Sequence, residues 1–502
     1  MSKKILIIGA GMAGLSAGVH ALRNGYEAEI FEMHHLPGGL CTAWQRNGYT
    51  FDGCIHWLVG TKPGSQFNRL WREVGALKDI EVVDHDIFMS IEAGEGKTLH
   101  IYSDLERLRE HLLEHSPEDK PVIDKMINGA KALSGVSFPL EKPEEISKIW
   151  DMPAMLVKML PLFGVFGKFS RISIAGYLKQ LKNPFLKEAL AQVMPIGYSM
   201  LSLLSTLASQ HDRDAGFPQG GSLAFARSIE KRFLELGGKI NYRSRVTRIL
   251  IENNRATGVL LEDGSDIKGD LVISAADLRT TAYELLRKKY LTPKIKKSFS
   301  HFPVYSSVQI SLGIAADLSG EAEKLAVKLN DPPDLGLGKH EYLYLTNYSF
   351  DPTLAPPGKT MVSATLLSSY DYWEPLAADK DNYRAEKEKL AELAKNAVEK
   401  RFPSAAGKIE KVDVATPLTY HRYTGVWKGA YMAWIVPPDE GRFKLPKQLP
   451  GLEGFYQVGQ WIEPPAGLPG SMLTGRHVIQ IICDRDKKPF RVGEMQGRFP
   501  VS

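Results

Sequence analysis

Ile5-Leu6-Ile7-Ile8-Gly9-Ala10-Gly11-Met12-Ala13-Gly14 joins an apolar run of strand length to a Gly-x-Gly-x-x-Gly turn and a helical pattern that continues to Arg23. Gly25 is a stop signal, and a second strand is predicted over Glu27 to Phe31, so the first thirty residues read as a βαβ unit. The glycines have separate jobs: a tight turn, a close approach of backbone N–H groups to a pyrophosphate, and contact of the helix with the sheet, which Gly18 continues. Glu32 follows at the end of the second strand, where a carboxylate accepts from a ribose hydroxyl and would repel a 2′-phosphate. The stretch predicts an adenine dinucleotide site built on Gly9, Gly11, Met12, Ala13, Gly14 and Glu32. NAD and FAD both satisfy it.

The same stretch imitates a secretory signal or membrane anchor, because Lys3 and Lys4 precede an uncharged run to Leu22. Glycines at 9, 11, 14 and 18 serve a strand–turn–helix and are of no use to an anchor. No other run of about 18 apolar residues occurs.

The 502 residues amount to about three domains' worth of chain at ~150 each, or two large interleaved ones. With 24% charged and 43% hydrophobic residues, and Gly and Pro dispersed, disordered, collagen-like and coiled-coil classes are excluded. The net charge of +5 comes from scattered basic residues, so no nucleic-acid footprint is expected. Three cysteines without CxxC spacing support neither a disulfide framework nor a thiolate metal site. No metal is expected, and a cytoplasmic compartment fits.

Working outward, Asn47-Gly48 between apolar residues signals a hairpin, and residues 66–210, rich in Leu, Lys, Met and Glu, read as mainly helical. Phe217-Pro218-Gln219-Gly220-Gly221 reads as a turn opening a helix from Ser222 to Leu236, ended by Gly237-Gly238. Strands are predicted over Ile240 to Leu250, Thr257 to Leu261 and Leu271 to Ser274, with turns at Asn253-Asn254 and Asp263-Gly264. A charged helix is expected near Asn382 to Arg401, and Gly454 to Ile482 repeats the strand–loop–helix pattern. The fold class is α/β: a discontinuous Rossmann-like dinucleotide-binding domain (1–65, 212–295 and 435–502) with an inserted α+β substrate domain (66–211 and 296–434).

Pro37-Gly38-Gly39, Gly48-Tyr49-Thr50-Phe51-Asp52 and Gly53-Cys54-Ile55-His56-Trp57 resemble the FAD-binding start of the phytoene desaturase, carotenoid isomerase and retinol saturase family, nearest the saturase side. Phe217 to Gly221 with Arg245-Val246 through Asp277 resembles the family's second FAD segment. Thr416-Pro417, Arg422 to Gly425 and Gly429 resemble a stretch near its substrate. Val458-Gly459-Gln460 with Gly467-Leu468-Pro469-Gly470 resembles its closing motif. Three positions depart from the pattern: Gln460 where many relatives have an acid, Leu40 where flavin oxidases often have Arg, and Pro465-Ala466 within a Gly run.

This resemblance implies FAD as cofactor, contacted also by Met33, Gly38, Gly39, Leu40, Val246, Gly459, Gln460, Leu468, Ser471 and Met472. It implies an oxidoreductase acting on a carbon–carbon bond of an isoprenoid or polyene lipid, as desaturase, saturase or cis–trans isomerase. A flavin amine oxidase and a non-catalytic, isoprenoid-binding escort protein of the same fold are the alternatives.

No second Gly-x-Gly-x-x-Gly unit is present, so a nicotinamide domain is not expected and the electron donor or acceptor is unknown. His56 is the candidate proton donor or acceptor, against a packing role. Trp57, Trp461 and Tyr423 are candidate walls of a polyene pocket, against ordinary core. Cys41 and Cys54, near the expected flavin, read as reduced, buried thiols, against a redox pairing of the two. Met155 to Phe169 is apolar between lysines and could lie on the inner face of a membrane, or form a buried helix.

Overall fold

The computed structural model describes residues 2–94, 96–148, 153, 160–464 and 467–493. The opening strand Lys4–Ile8 lies at the centre of a five-stranded parallel sheet, in the order Phe455–Gln457, Leu271–Ser274, Lys4–Ile8, Glu27–Phe31, Lys239–Asn241. Side chains alternate across a strand, and here both faces are apolar. Ile5, Ile7 and Ile273 pack with the helices Met12–Arg23, Gly221–Glu235 and Gly467–Arg485, whereas Leu6, Ile8 and Val272 pack with an antiparallel meander, Val246–Glu252, Arg255–Leu261 and Asp266–Lys268. This makes a helix–sheet–meander sandwich.

Two glycines permit the helix packing. A Cβ on Gly18 would stand 2.6 Å from the Phe233 ring, and one on Gly475 would stand 2.3 Å from the Ala13 carbonyl oxygen.

A second, seven-stranded sheet runs Ile409–Ala415, Ser306–Ile314, Thr360–Ser368, Tyr342–Asn347, Lys324–Lys328, Ile87–Glu92, Thr98–Tyr102. One face of it, with Ile310, Leu312, Val362 and Ala364, packs on Leu390, Ala394 and Val398 of the helix Lys380–Arg401. The opposite face carries Ser307, Gln309, Thr365, Leu367 and Tyr344, which turn towards a cavity.

Local signals hold closely. Asn47 and Gly48 at φ 50° and 87° close the hairpin Ala43–Arg46/Tyr49–Asp52, and Asn253 and Asn254 at 48° and 59° close the meander's first turn. Three readings are corrected. The span 66–210 is helical in part but contains the strands Ile87–Glu92 and Thr98–Tyr102, whose hydrogen-bonding partners include Lys324–Lys328, more than two hundred residues away. Ile240 to Leu250 is not one strand: it turns at Arg243, φ 53°, and its halves join different sheets. Phe217-Pro218 is not only a turn but a two-residue strand paired with Val82–Val83. Of the proposed membrane-lying segment, residues 155–159 lie outside the described residues; Phe163–Phe169 is a helix whose Val165 and Phe169 are buried and whose Phe163 is exposed. No helix among the described residues is long and apolar enough to cross a membrane.

Candidate functional site

Three loops leave the parallel sheet at the carboxyl ends of adjacent strands: Gly9 to Gly11, Ala275 to Asp277 and Val458 to Gln460. Open α/β sheets bind ligands at that edge. The loops border a cavity of 1090 Å³ that extends to the seven-stranded sheet and to the segment 188–206.

Gly11 is the N-cap of the first helix and has extended backbone. Its peptide is bridged to Gly38, whose N–H donates to the Ala10 carbonyl at 2.8 Å. Gly38 and Gly39 stand at φ 102° and 62°, which brings their backbone alongside the helix N-terminus. A Cβ on Gly11 would have the Gly38 carbonyl oxygen 3.9 Å away as its nearest neighbour, and one on Gly459 would meet nothing within 4 Å. Both glycines line the cavity, so side chains there would occupy it. With helix N–H groups at one wall, this cradle has the geometry to hold a pyrophosphate.

Of the predicted contacts, Gly11, Met12, Ala13, Gly38, Gly39, Leu40, His56, Gly459, Gln460, Leu468 and Ser471 line this one cavity. The others stand behind it. A Cβ on Gly14 would approach the Gly9 carbonyl oxygen to 2.0 Å, so this pair sets the turn against the helix. Glu32, 6% exposed, accepts from the Ala10 N–H at 2.7 Å and the His34 N–H at 2.8 Å, and burial raises its carboxyl pKa. It ties the glycine turn to the end of the second strand. Val246 is packed in the meander core with Phe31. Met472 is fully buried, and its carbonyl accepts from the Ser16 hydroxyl. Met33 is not a cavity residue and lies near Gly425. Pro465-Ala466 lies outside the described residues.

His56 has an exposed side chain that lines the cavity, whose protein walls stand around it. Burial first and the Lys324 ammonium second hold its imidazole at about 4, so the ring is neutral at pH 7. Burial lowers Lys324 itself to about 8. Asp277 accepts from the N–H groups of Arg279, Thr280 and Trp427, and burial lifts it to about 6. Behind the hairpin, Asp52 accepts from the Ser222 N–H and hydroxyl and from the Cys54 N–H, with burial again lifting it to about 6.

The rest of the wall is apolar or neutral. Trp57 and Trp461 line it as expected, whereas Tyr423 does not: it is 46% exposed and lies edge-on to His34. Tyr198, Tyr305, Tyr420 and Tyr431 supply aromatic wall instead, and burial raises the phenols of Tyr198 and Tyr420 to about 12. The sequence reading missed these tyrosines and Lys324. Nothing local marks Lys324, because its partner is 268 residues away. Glu188, Lys339 and Glu341 add charge to the lining, Lys339 and Glu341 at exposed positions.

The family of flavin containing amine oxidoreductases matches residues 12–483. Prolycopene isomerase of Daucus carota is 23% identical over 94% of this chain and 78% of its own. The neurosporene-forming phytoene desaturase of Rhodobacter capsulatus is 26% identical over 96% of this chain and 94% of its own. Among solved structures, an oxidoreductase from Methanosarcina mazei shares the fold with a TM-score of 0.62 at 19% identity, covering 95% of this chain and 100% of that one. The match takes in Gly14, Gly38 and Gly39, the whole seven-stranded sheet and most of the helix Gly467–Arg485; the chain belongs to the flavin containing amine oxidoreductase family, and its cofactor is FAD.

Proposed function

We propose that this protein oxidises, reduces or isomerises a carbon–carbon bond of an isoprenoid or polyene lipid. The observation that carries this reading is the cavity. It runs without a break from the glycine cradle along an apolar and aromatic wall, and at 1090 Å³ it is at the upper end of ligand sites, large enough for a flavin ring and a long flat chain together. The relatives named for prolycopene and phytoene support it. An amine oxidase is the weaker reading: Leu40 stands where a charged residue is usual in flavin oxidases, and the middle of the cavity is walled by neutral rings.

In this reading Gly11, Met12 and Ala13 bind the pyrophosphate through backbone N–H groups, and Glu32 holds their loop in place. Gly39, Leu40, Gly459, Gln460, Leu468 and Ser471 pack along the cofactor. When bound, FAD supplies two-electron or hydride chemistry. Trp57, Tyr420 and Tyr431 hold the substrate flat and exclude water. The neutral imidazole of His56 accepts or returns a proton at its free ring nitrogen. The division into a cofactor part (1–65, 212–295, 435–502) and a substrate part (66–211, 296–434) belongs to the same reading. All five parallel strands fall in the first part and all seven strands of the other sheet in the second.

Anaerobic incubation with a panel of carotenoids, retinoids and amines tests it, with the flavin spectrum and product masses as readouts. A polyene that perturbs the flavin and emerges changed by two hydrogens, or isomerised, is expected. Turnover of an amine with every polyene inert overturns the reading.

A further inference from the structure

The hairpin that brings His56 to the cavity also brings two cysteines to its open end. Its ladder pairs Arg46 with Tyr49, Trp44 with Phe51 and Ala43 with Asp52, and the Gly53 N–H donates to the Thr42 carbonyl at 3.0 Å. One position further out the chains leave the ladder: the Cys41 N–H donates to the Gly38 carbonyl at 3.1 Å and the Thr42 N–H to the Leu40 carbonyl at 2.9 Å, so Cys41 and Cys54 stand in bends just past the last cross-strand bond.

The two thiols stand close enough to influence each other: after burial, Cys54 is the next cause that pushes the Cys41 thiol up. Both residues line the cavity beside the glycine cradle. Cys54 is half-buried and reachable from the cavity, while Cys41 is fully buried and donates to the Ser222 carbonyl at 3.4 Å. Their spacing in sequence, thirteen residues, hides this, since their approach depends wholly on the hairpin.

We propose that Cys41 and Cys54 form a reversible disulfide in the wall of the flavin cavity, through which electrons pass between FAD and an external thiol or dithiol. In the reducing direction a thiolate of the external compound attacks Cys54 Sγ, the Cys41–Cys54 bond breaks, and the Cys41 sulfur leaves and takes a proton. A second external thiolate then displaces the mixed disulfide, leaving both cysteines as thiols and the external compound as its disulfide. Re-forming the Cys41–Cys54 bond releases two electrons and two protons; oxidised FAD takes the two electrons and is reduced, with the protons going to the flavin or to solvent. Each step also runs in reverse.

The pair then links FAD to an external thiol as electron partner. It does so whatever the organic substrate is.

Two measurements on the purified FAD-bound protein test this. In glutathione buffers of graded ratio, quenched by denaturation and alkylation, Cys41 and Cys54 are expected to lose their alkyl labels together and to appear as one linked peptide, while Cys483 labels throughout. In anaerobic dithionite titration the air-oxidised wild type is expected to consume four electron equivalents per flavin, and Cys54→Ser with full flavin content only two. Independent labelling of the two cysteines at every ratio overturns the proposal. A linked pair that adds no equivalents to the flavin titration overturns the electron-transfer role. Since the labelling arm reads sulfur alone, it stands even if no polyene reacts.

Discussion

The Lys324 ammonium donates to the backbone carbonyl of His56 at 2.8 Å, fastening the seven-stranded sheet to the loop that follows the hairpin. The bond uses the carbonyl, not the ring, so the imidazole can be removed without breaking the tie. His56→Ala should therefore keep wild-type FAD content and Tm while turnover per bound flavin falls ~10²-fold or more. Unchanged turnover per flavin, with stability or flavin lost instead, would assign His56 to packing.

Gly11 and Gly14 sit in one motif but should fail differently. Gly11 has extended backbone and open space where a side chain would go, so Gly11→Val should fold normally and bind FAD at least ~10-fold more weakly, a loss of about 1.4 kcal/mol or more. At Gly14 the new Cβ would meet the Gly9 carbonyl oxygen at 2.0 Å, and Gly14→Ala should cost about 2 kcal/mol or more of folding stability. Flavin absorbance and thermal unfolding of the two variants side by side check both.

His477 carries a pH prediction. It is 5% exposed, its Nε2 donates to the Leu140 carbonyl at 2.8 Å, its buried Nδ1 has no partner, and burial holds it at about 4. In the unfolded chain the same group titrates at about 6.5. Between those values the unfolded state binds the proton and the native state does not, so native stability is intact above ~6.5 and declines as pH falls. His477→Gln keeps an N–H for Leu140 and removes the titration. The wild type should lose roughly 2–3 kcal/mol relative to this variant between about pH 7 and about pH 4.5, read by urea unfolding. A constant difference across that range would place the proton elsewhere.

Among the described residues one parallel sheet carries one Gly-x-Gly-x-x-Gly turn, and that turn is the one we assign to FAD. NADH and NADPH should therefore leave the bound flavin oxidised in anaerobic stopped-flow mixing, over times in which substrate turns over. Stoichiometric bleaching by either nucleotide would reveal a further binding site.

The sequence by itself determined what short-range forces decide. A strand, a glycine turn and a helix within twenty residues, Asn47-Gly48 with its positive φ angles, and the αL stop at Gly237 each depend on neighbours a few positions away, so each is legible in one chain. The tertiary structure alone decided which distant segments meet. Burial on both faces lets Leu271–Ser274 and Phe455–Gln457 complete a sheet begun at Lys4, and an apolar run does not state which other run will cover it. The hairpin at 87–102 stood in helical text, and its strand Ile87–Glu92 joins the large sheet only through Lys324–Lys328, a partner beyond residue 320. Lys324 reached His56 through sheet pairing, and the hairpin brought Cys41 and Cys54 to its open end, just past the Gly53–Thr42 bond. Hydrogen bonding and burial select those contacts only once the chain is folded.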